Sequence, residues 1–169
     1  PIDAAIKVFG NDAFDAGQLE RIEIRVAARN LRVCNIQTPA TGLEAKFSMR
    51  FTVALALLGV DTGRLDSFDD AIIERRDAMD VCAKSRVIGI AELGRNEAEI
   101  IVHQRDGTVL RGHADPVADL DATWARLRTK FRGLAEPVVG ARRTETILDF
   151  VAGLEGADSL APLLAATYS

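Results

Sequence analysis

Thr41-Gly42-Leu43-Glu44-Ala45-Lys46-Phe47-Ser48-Met49-Arg50, running on into Phe51-Thr52-Val53-Ala54-Leu55-Ala56-Leu57-Leu58-Gly59, is the stretch whose reading decides the fold. Thr41 and Glu44 have the S/T-x-x-E spacing that satisfies orphan backbone donors reciprocally at a helix N-terminus. Val53 to Leu58 are apolar around the whole circumference, which predicts a helix enclosed by other elements. The expected helix covers Leu43 to Leu58, with Gly59 as the residue that stops it. Lys46 and Arg50 would then sit one turn apart near the positive end of the helix dipole, an unfavourable place for cations by about 0.3–1 kcal/mol each. Like charges at i,i+4 add a few tenths more. An anion nearby reverses both penalties. Two readings compete: a solvated cationic side, or an anion site made of free N–H groups, two cations and the hydroxyls of Ser48 and Thr52.

Outward from this segment, Asp3 to Phe9 has helical spacing, with Ile2, Ala5, Ile6 and Phe9 on one stripe and an end near Gly10-Asn11. Leu19 to Ala27 alternates Ile22, Ile24 and Val26 against Arg21, Glu23 and Arg25, a half-buried strand with its charged face outward. Asn30 to Pro39 is irregular, with a short extended piece at Leu31 to Ile36. Downstream, Asp61 to Ser67 is a polar connection, followed by short helices at Phe68–Ile73 and Arg75–Ala83. Strands are expected at Arg86–Ala91, Ala98–Gln104 and Thr108–His113. The last two are joined through Arg105-Asp106-Gly107, with the Asp-Gly signal of a tight hairpin turn that would set His103 opposite Leu110. Leu120, Trp124, Leu127, Phe131 and Leu134 recur at three and four, an amphipathic helix over Ala118 to Leu134. Ile147, Phe150, Val151 and Leu154 mark another, and Leu160 to Ala166 a last short one. The order predicts an α+β fold, a small, mostly antiparallel sheet with helices covering one face.

A chain of 169 residues fits one domain. Its net charge of -4, with no basic run longer than two residues, argues against nucleic acid as a partner. No apolar run approaches the roughly 18 residues needed to span a bilayer, so no membrane partner is expected. Cys34 and Cys82 lie far apart with no metal-ligand spacing around them, and are expected as free thiols in a reducing cytoplasm. The chain starts at Pro1 without an initiator Met and enters a helical pattern at once, so it reads as a piece of something longer.

Motifs of self-contained chemistry are missing. His103 and His113 have no carboxylate or second His at ligand spacing and read as strand histidines, not a metal site. Asp66, Asp69, Asp70 and Glu74 read as caps of helix starts, and Asp115, Asp119 and Asp121 likewise. There is no G-x-G-x-x-G, no G-K-S/T and no G-x-S-x-G. No convincing general base is visible, although the cations that would stabilise a developing carboxylate charge are present.

The run T-G-L-E-A-K-F-S-M-R-F-T-V-A-L-A-L-L-G at Thr41 to Gly59 resembles the signature of the MmgE/PrpD family, which contains 2-methylcitrate dehydratase, cis-aconitate decarboxylase and iminodisuccinate epimerase. Pro1-Ile2-Asp3-Ala4-Ala5 resembles the segment directly after the family's basic, histidine-containing active-site loop. Pro39 and Phe68-Asp69-Asp70 also fit the pattern. Phe51 departs from it, since many members have Tyr there. The resemblance implies the C-terminal α+β domain of a two-domain enzyme acting on small di- and tricarboxylates without a cofactor, most readily a 2-methylcitrate dehydratase-type lyase. It implies an N-terminal helical domain that carries the main acid–base groups, so that this fragment alone has no turnover, and a homodimer. On that reading the loop Cys34 to Thr41 faces the cleft, Lys46, Ser48 and Arg50 assist carboxylate binding, and Phe47 and Phe51 pack beneath. Two other expectations stand beside it: a stand-alone carboxylate-binding module, or a dimerisation domain using the helices at 118–134 and 145–154.

Overall fold

Alternation of apolar and charged residues builds the sheet. The computed structural model describes residues 1–9, 14–118 and 120–168. β1 (Leu19–Ala27) buries Ile22, Ile24 and Val26 and turns its charged residues the other way. β2 (Ser85–Ile90), β3 (Ala98–Gln104) and β4 (Val109–Ala114) complete a four-stranded sheet of order β2-β1-β3-β4. β1 runs parallel to β2 and antiparallel to β3, and β3 antiparallel to β4. The sheet is therefore mixed and mostly antiparallel, and the fold is α+β. A parallel neighbour needs a long crossover, and the segment between β1 and β2 supplies it with most of the helices of this part of the chain.

One face of the sheet is the core. Ile22, Ile24 and Val26 pair in register with Val102, Ile100 and Ala98, all at 1% exposure or less. Burying each large aliphatic side chain contributes about 1.5–3 kcal/mol. α1 (Ile2–Phe9) packs on β3 and β4, and α3 (Met49–Leu57) packs on α1 and β2. In α1 the buried stripe is Ala4, Ala5 and Val8, while Ile6 is exposed. The small stripe has a steric reason. A Cβ on Gly112 of β4 would sit 2.1 Å from the Ala4 carbonyl oxygen, so the helix rides close to the strand backbone. The expected end of this helix at Gly10-Asn11 lies outside the described residues. A bulge in β1 between Leu19 and Arg21 breaks the alternation and lets Leu19 turn inward, where it is 1% exposed.

The single helix expected over Leu43–Leu58 is two: α2 (Gly42–Lys46) and α3. Two backbone bonds to the preceding loop cause the break. The Ile36 N–H donates to the Phe47 carbonyl and the Met49 N–H to the Cys34 carbonyl, an isolated bridge that pairs Asn35 with Ser48. The backbone at Ser48 is accordingly extended. The expected extended piece at Leu31–Ile36 shrinks to this bridge, and Ala28–Arg32 forms a 3-10 turn instead. α3 ends as expected at Gly59, which has φ +73. The Gly59 N–H reaches the Ala56 carbonyl and the Val60 N–H the Leu55 carbonyl, the paired bonds of a Schellman stop.

After α3, 3-10 turns at Asp66–Phe68 and Asp70–Glu74 replace the first expected short helix, and α4 (Arg76–Ala83) is the second. The β3–β4 connection is a three-residue loop with Gly107 at φ +88, not a two-residue turn. One extra loop residue shifts the register, so His103 faces Val109 rather than Leu110.

The chain packs as two compact units. The first is Pro1–Thr62 with Asp66–Asp119, and the second Gly63–Leu65 with Leu120–Ser169. The second contains α5 (Leu120–Val139), α6 (Ala141–Ala152) and α7 (Ala161–Thr167). Gly140, at φ +82, turns the chain between α5 and α6. Arg132 clamps Glu145 across the pair with contacts of 2.5 and 2.9 Å. An apolar groove of about 350 Å³ runs between α5 and α6, lined by Trp124, Leu127, Phe131, Leu134, Ile147 and Val151 among others. No described helix is long and apolar enough to cross a membrane.

Candidate functional site

Thr41 caps α2 as its spacing predicts. Its Oγ1 accepts from the Glu44 N–H at 3.2 Å, and the Glu44 carboxylate accepts in return at 2.7 Å. The return bond comes from Ala40, one residue upstream of the cap, because the chain enters the helix from an extended conformation. A further carboxylate arrives from far along the sequence: Asp70 Oδ1 accepts from the Gly42 N–H at 2.8 Å. This contact needs glycine at 42. A Cβ there would lie 2.1 Å from the Phe68 carbonyl oxygen. The positive end of α2 thus already holds an anion, the chain's own Asp70. Asp69 caps the neighbouring 3-10 turn through the Ile72 N–H at 3.1 Å. Of the expected capping acids further on, Asp115 accepts from the Val117 N–H, and Asp119 lies outside the described residues.

The three residues singled out from the sequence go to different places. Lys46 ends α2, is exposed, and holds its Nζ 5.5 Å from the centroid of the Phe68 ring, a cation–π contact. Arg50 lies in the first turn of α3. The two cations therefore stand on separate helices, not one turn apart on a common face. Ser48 is buried at 1% exposure, and its Oγ accepts from the Phe51 N–H as the cap of α3. Thr52 is also committed, donating to the Ser48 and Met49 carbonyls. Phe51 is buried, as expected of a residue packing beneath, but Phe47 is 45% exposed.

Arg50 is held by the loop that the sequence reading placed at the cleft. Its Nη2 donates to Gln37 Oε1, and Gln37 Nε2 donates to Asn35 Oδ1 at 2.7 Å and to the Asn35 carbonyl at 3.0 Å. This relay fixes the guanidinium. Among the described residues, Arg50 Nε is shielded from solvent and has no hydrogen-bond partner. A charged donor in that condition is costly, and it gains a charge-assisted bond where the side chains around it shift to admit an acceptor. The sequence singled out Arg50 but not Gln37 and Asn35, whose contact with it depends on the bridge between residues 34–36 and 47–49.

The thiols are free. Burial pushes the Cys82 thiol up to about 11, against the opposing charge of Arg50, so it stays protonated and unreactive near neutral pH. Lys46 and Arg50 put two cationic groups on neighbouring helices, one exposed and one half-buried.

No curated protein matches the chain significantly. The family model for the MmgE/PrpD C-terminal domain matches residues 1–155 of the 169, taking in β1, the capped α2, the bridge at Ser48 and all four strands. The chain belongs to the MmgE/PrpD C-terminal domain family.

Proposed function

We propose that this chain is the substrate-cleft part of an MmgE/PrpD-type enzyme of small di- and tricarboxylates, with 2-methylcitrate dehydratase-type lyase chemistry as the favoured reaction. The family is one of enzymes. The observation that carries the reading is the unpartnered Nε of Arg50, a guanidinium held by the Asn35–Gln37 relay with one donor still to be satisfied. Lys46 adds a second, exposed positive charge on the neighbouring helix. A substrate with several carboxylates is matched by two separated cations better than a monoacid is. As a group leaves the carbon next to a carboxylate, charge builds on that carboxylate, and a fixed guanidinium stabilises it without reorganisation.

The proton-transfer groups belong, on this reading, to an N-terminal helical domain, and no cofactor takes part. Epimerase or decarboxylase chemistry on the same substrate class is the runner-up. Ser48 enters as a support of α3, not as a ligand, because its hydroxyl is spent on the cap. The test is an assay of the full-length protein on methylcitrate, citrate, cis-aconitate and iminodisuccinate. Turnover of one of them, lost in Arg50→Ala and retained in Ser48→Thr, is the expected result. Turnover by residues 1–169 alone, or full activity in Arg50→Ala, sinks the proposal.

A second reading has its own observation. The groove between α5 and α6 leaves Trp124 and Leu127 at 41% and 51% exposure, the kind of apolar surface that self-association covers. A homodimer formed there is compatible with the enzyme reading.

A further inference from the structure

The sheet has a second face. Its residues fall into rows that cross the strands in register. Arg86, Glu23, Ile101 and Arg111 form one row, Ile88, Arg25, Glu99 and His113 the next, and Arg21, His103 and Val109 a third. Arg25 bonds Glu23 at 2.8 Å and reaches Glu99 at 3.7 Å. Arg21 and His103 approach the other oxygen of Glu23 at 3.9 and 3.4 Å. The acids of these rows are thereby compensated, and Ile101 is buried between them at 2% exposure.

Arg86 and Arg111 are left over. Both are exposed, and among the described residues neither side chain makes an ion pair or hydrogen bond. A single solvated arginine means little. These two flank a compensated strip symmetrically, one on each outer strand. The strand residues of the face are Arg21, Arg25, Arg86 and Arg111 against Glu23 and Glu99, with Glu20 at 3.5 Å from Arg21 and Glu97 at 3.8 Å from His113 at its margins. The uncompensated positive charge of the face is that of Arg86 and Arg111.

We propose that this face docks an acidic polypeptide segment laid across the strands, with one carboxylate on Arg86 and another on Arg111. The spacing defines the segment. Three interstrand steps separate the arginines by about 14 Å. An extended chain covers that in about four residues, and residues i and i+4 point to the same side. The motif is therefore two acids four apart, with an uncharged residue midway where the segment passes over Glu23 and Ile101. Each carboxylate can take a guanidinium bidentately. A nucleic-acid backbone fits poorly, because its continuous line of phosphates would meet Glu23, Glu99 and, beside His113 at 3.8 Å, Glu97. Discrete acids straddle those positions.

The probe is a fluorescein-labelled glycine/serine heptapeptide with Asp at its second and sixth positions, titrated with the purified chain by fluorescence anisotropy at low salt. Saturable binding is expected, weakened about tenfold by Arg86→Gln or Arg111→Gln, abolished by the double charge reversal to Glu, and diminished as salt approaches about 0.15 M. Both sites are exposed, so far-ultraviolet circular dichroism of the variants should match the parent, which separates lost binding from lost folding. No saturable binding, equal binding by the Gln variants, equal affinity for a peptide with its two Asp adjacent, or tighter binding of a short DNA duplex would each overturn the proposal.

Discussion

Ser48 shows how one hydroxyl holds a junction. It is buried, it receives the Phe51 N–H, and its backbone joins the bridge to Asn35. Removing an N-cap of this kind costs about 1–2 kcal/mol, here at the upper end because the freed N–H is cut off from water. Ser48→Ala should therefore lower the urea midpoint followed by circular dichroism. A residue acting only on substrate would instead lose activity at unchanged stability. Glu23 is the second informative residue. Its carboxyl is held below the usual range, chiefly by the hydrogen bond from Arg25, against the opposing effect of partial burial, with the charges of Arg25, His103 and Arg21 adding to the lowering. A carboxyl whose folded pKa is depressed stabilises the fold above its unfolded pKa, and that contribution disappears as pH falls through the folded value. Glu23→Gln is thus expected to be less stable than the parent at neutral pH, with the gap closing under acid. A gap that stays constant across a pH series of denaturation curves would show that the carboxylate charge does not contribute.

At the scale of elements, close approaches decide the architecture. α1 reaches β4 only because Gly112 lacks a Cβ, which would meet the Ala4 carbonyl and, at 2.8 Å, Val8 Cγ2. Gly112→Ala forces backbone against backbone and should cost about 1–3 kcal/mol or more, read from the same denaturation curves. Gly59→Ala makes a contrast. Nothing lies within 4 Å of its Cβ, and the strain comes from φ +73 alone, so the loss there should be nearer about 1 kcal/mol. What could be read beforehand follows the same division. β1, β3, the Gly59 stop and the Thr41 cap were legible because alternation and local spacing encode them. The break at Ser48 was not, because two helices in nearly continuous phase leave the same periodic pattern as one. Asp70 at the tip of α2 and Gln37 on Arg50 were hidden for another reason. Both are contacts between distant segments, 28 and 13 residues apart. The family signature was legible in the sequence, while continuous-helix geometry misplaced the side chains of Lys46 and Arg50 relative to each other.

For the whole molecule, the division into two packed units determines what each measurement can see. The helical unit exposes the apolar groove lined by Trp124 and Leu127. If a second copy covers it, sedimentation velocity should show concentration-dependent association, and Leu127→Asp should remain a monomer at every concentration. An unchanged sedimentation coefficient across the series would remove the homodimer from the reading. The placement of chromophores has a further consequence. The only Trp and the only Tyr are Trp124 and Tyr168, and both belong to the helical unit. Near-ultraviolet emission of the native chain is therefore blind to the β-sheet, and a melting curve taken that way reports on a region without Arg50 or Glu23. A reporter at Phe14, which stacks edge-on against Phe9 with ring centroids 5.3 Å apart, would light the silent unit.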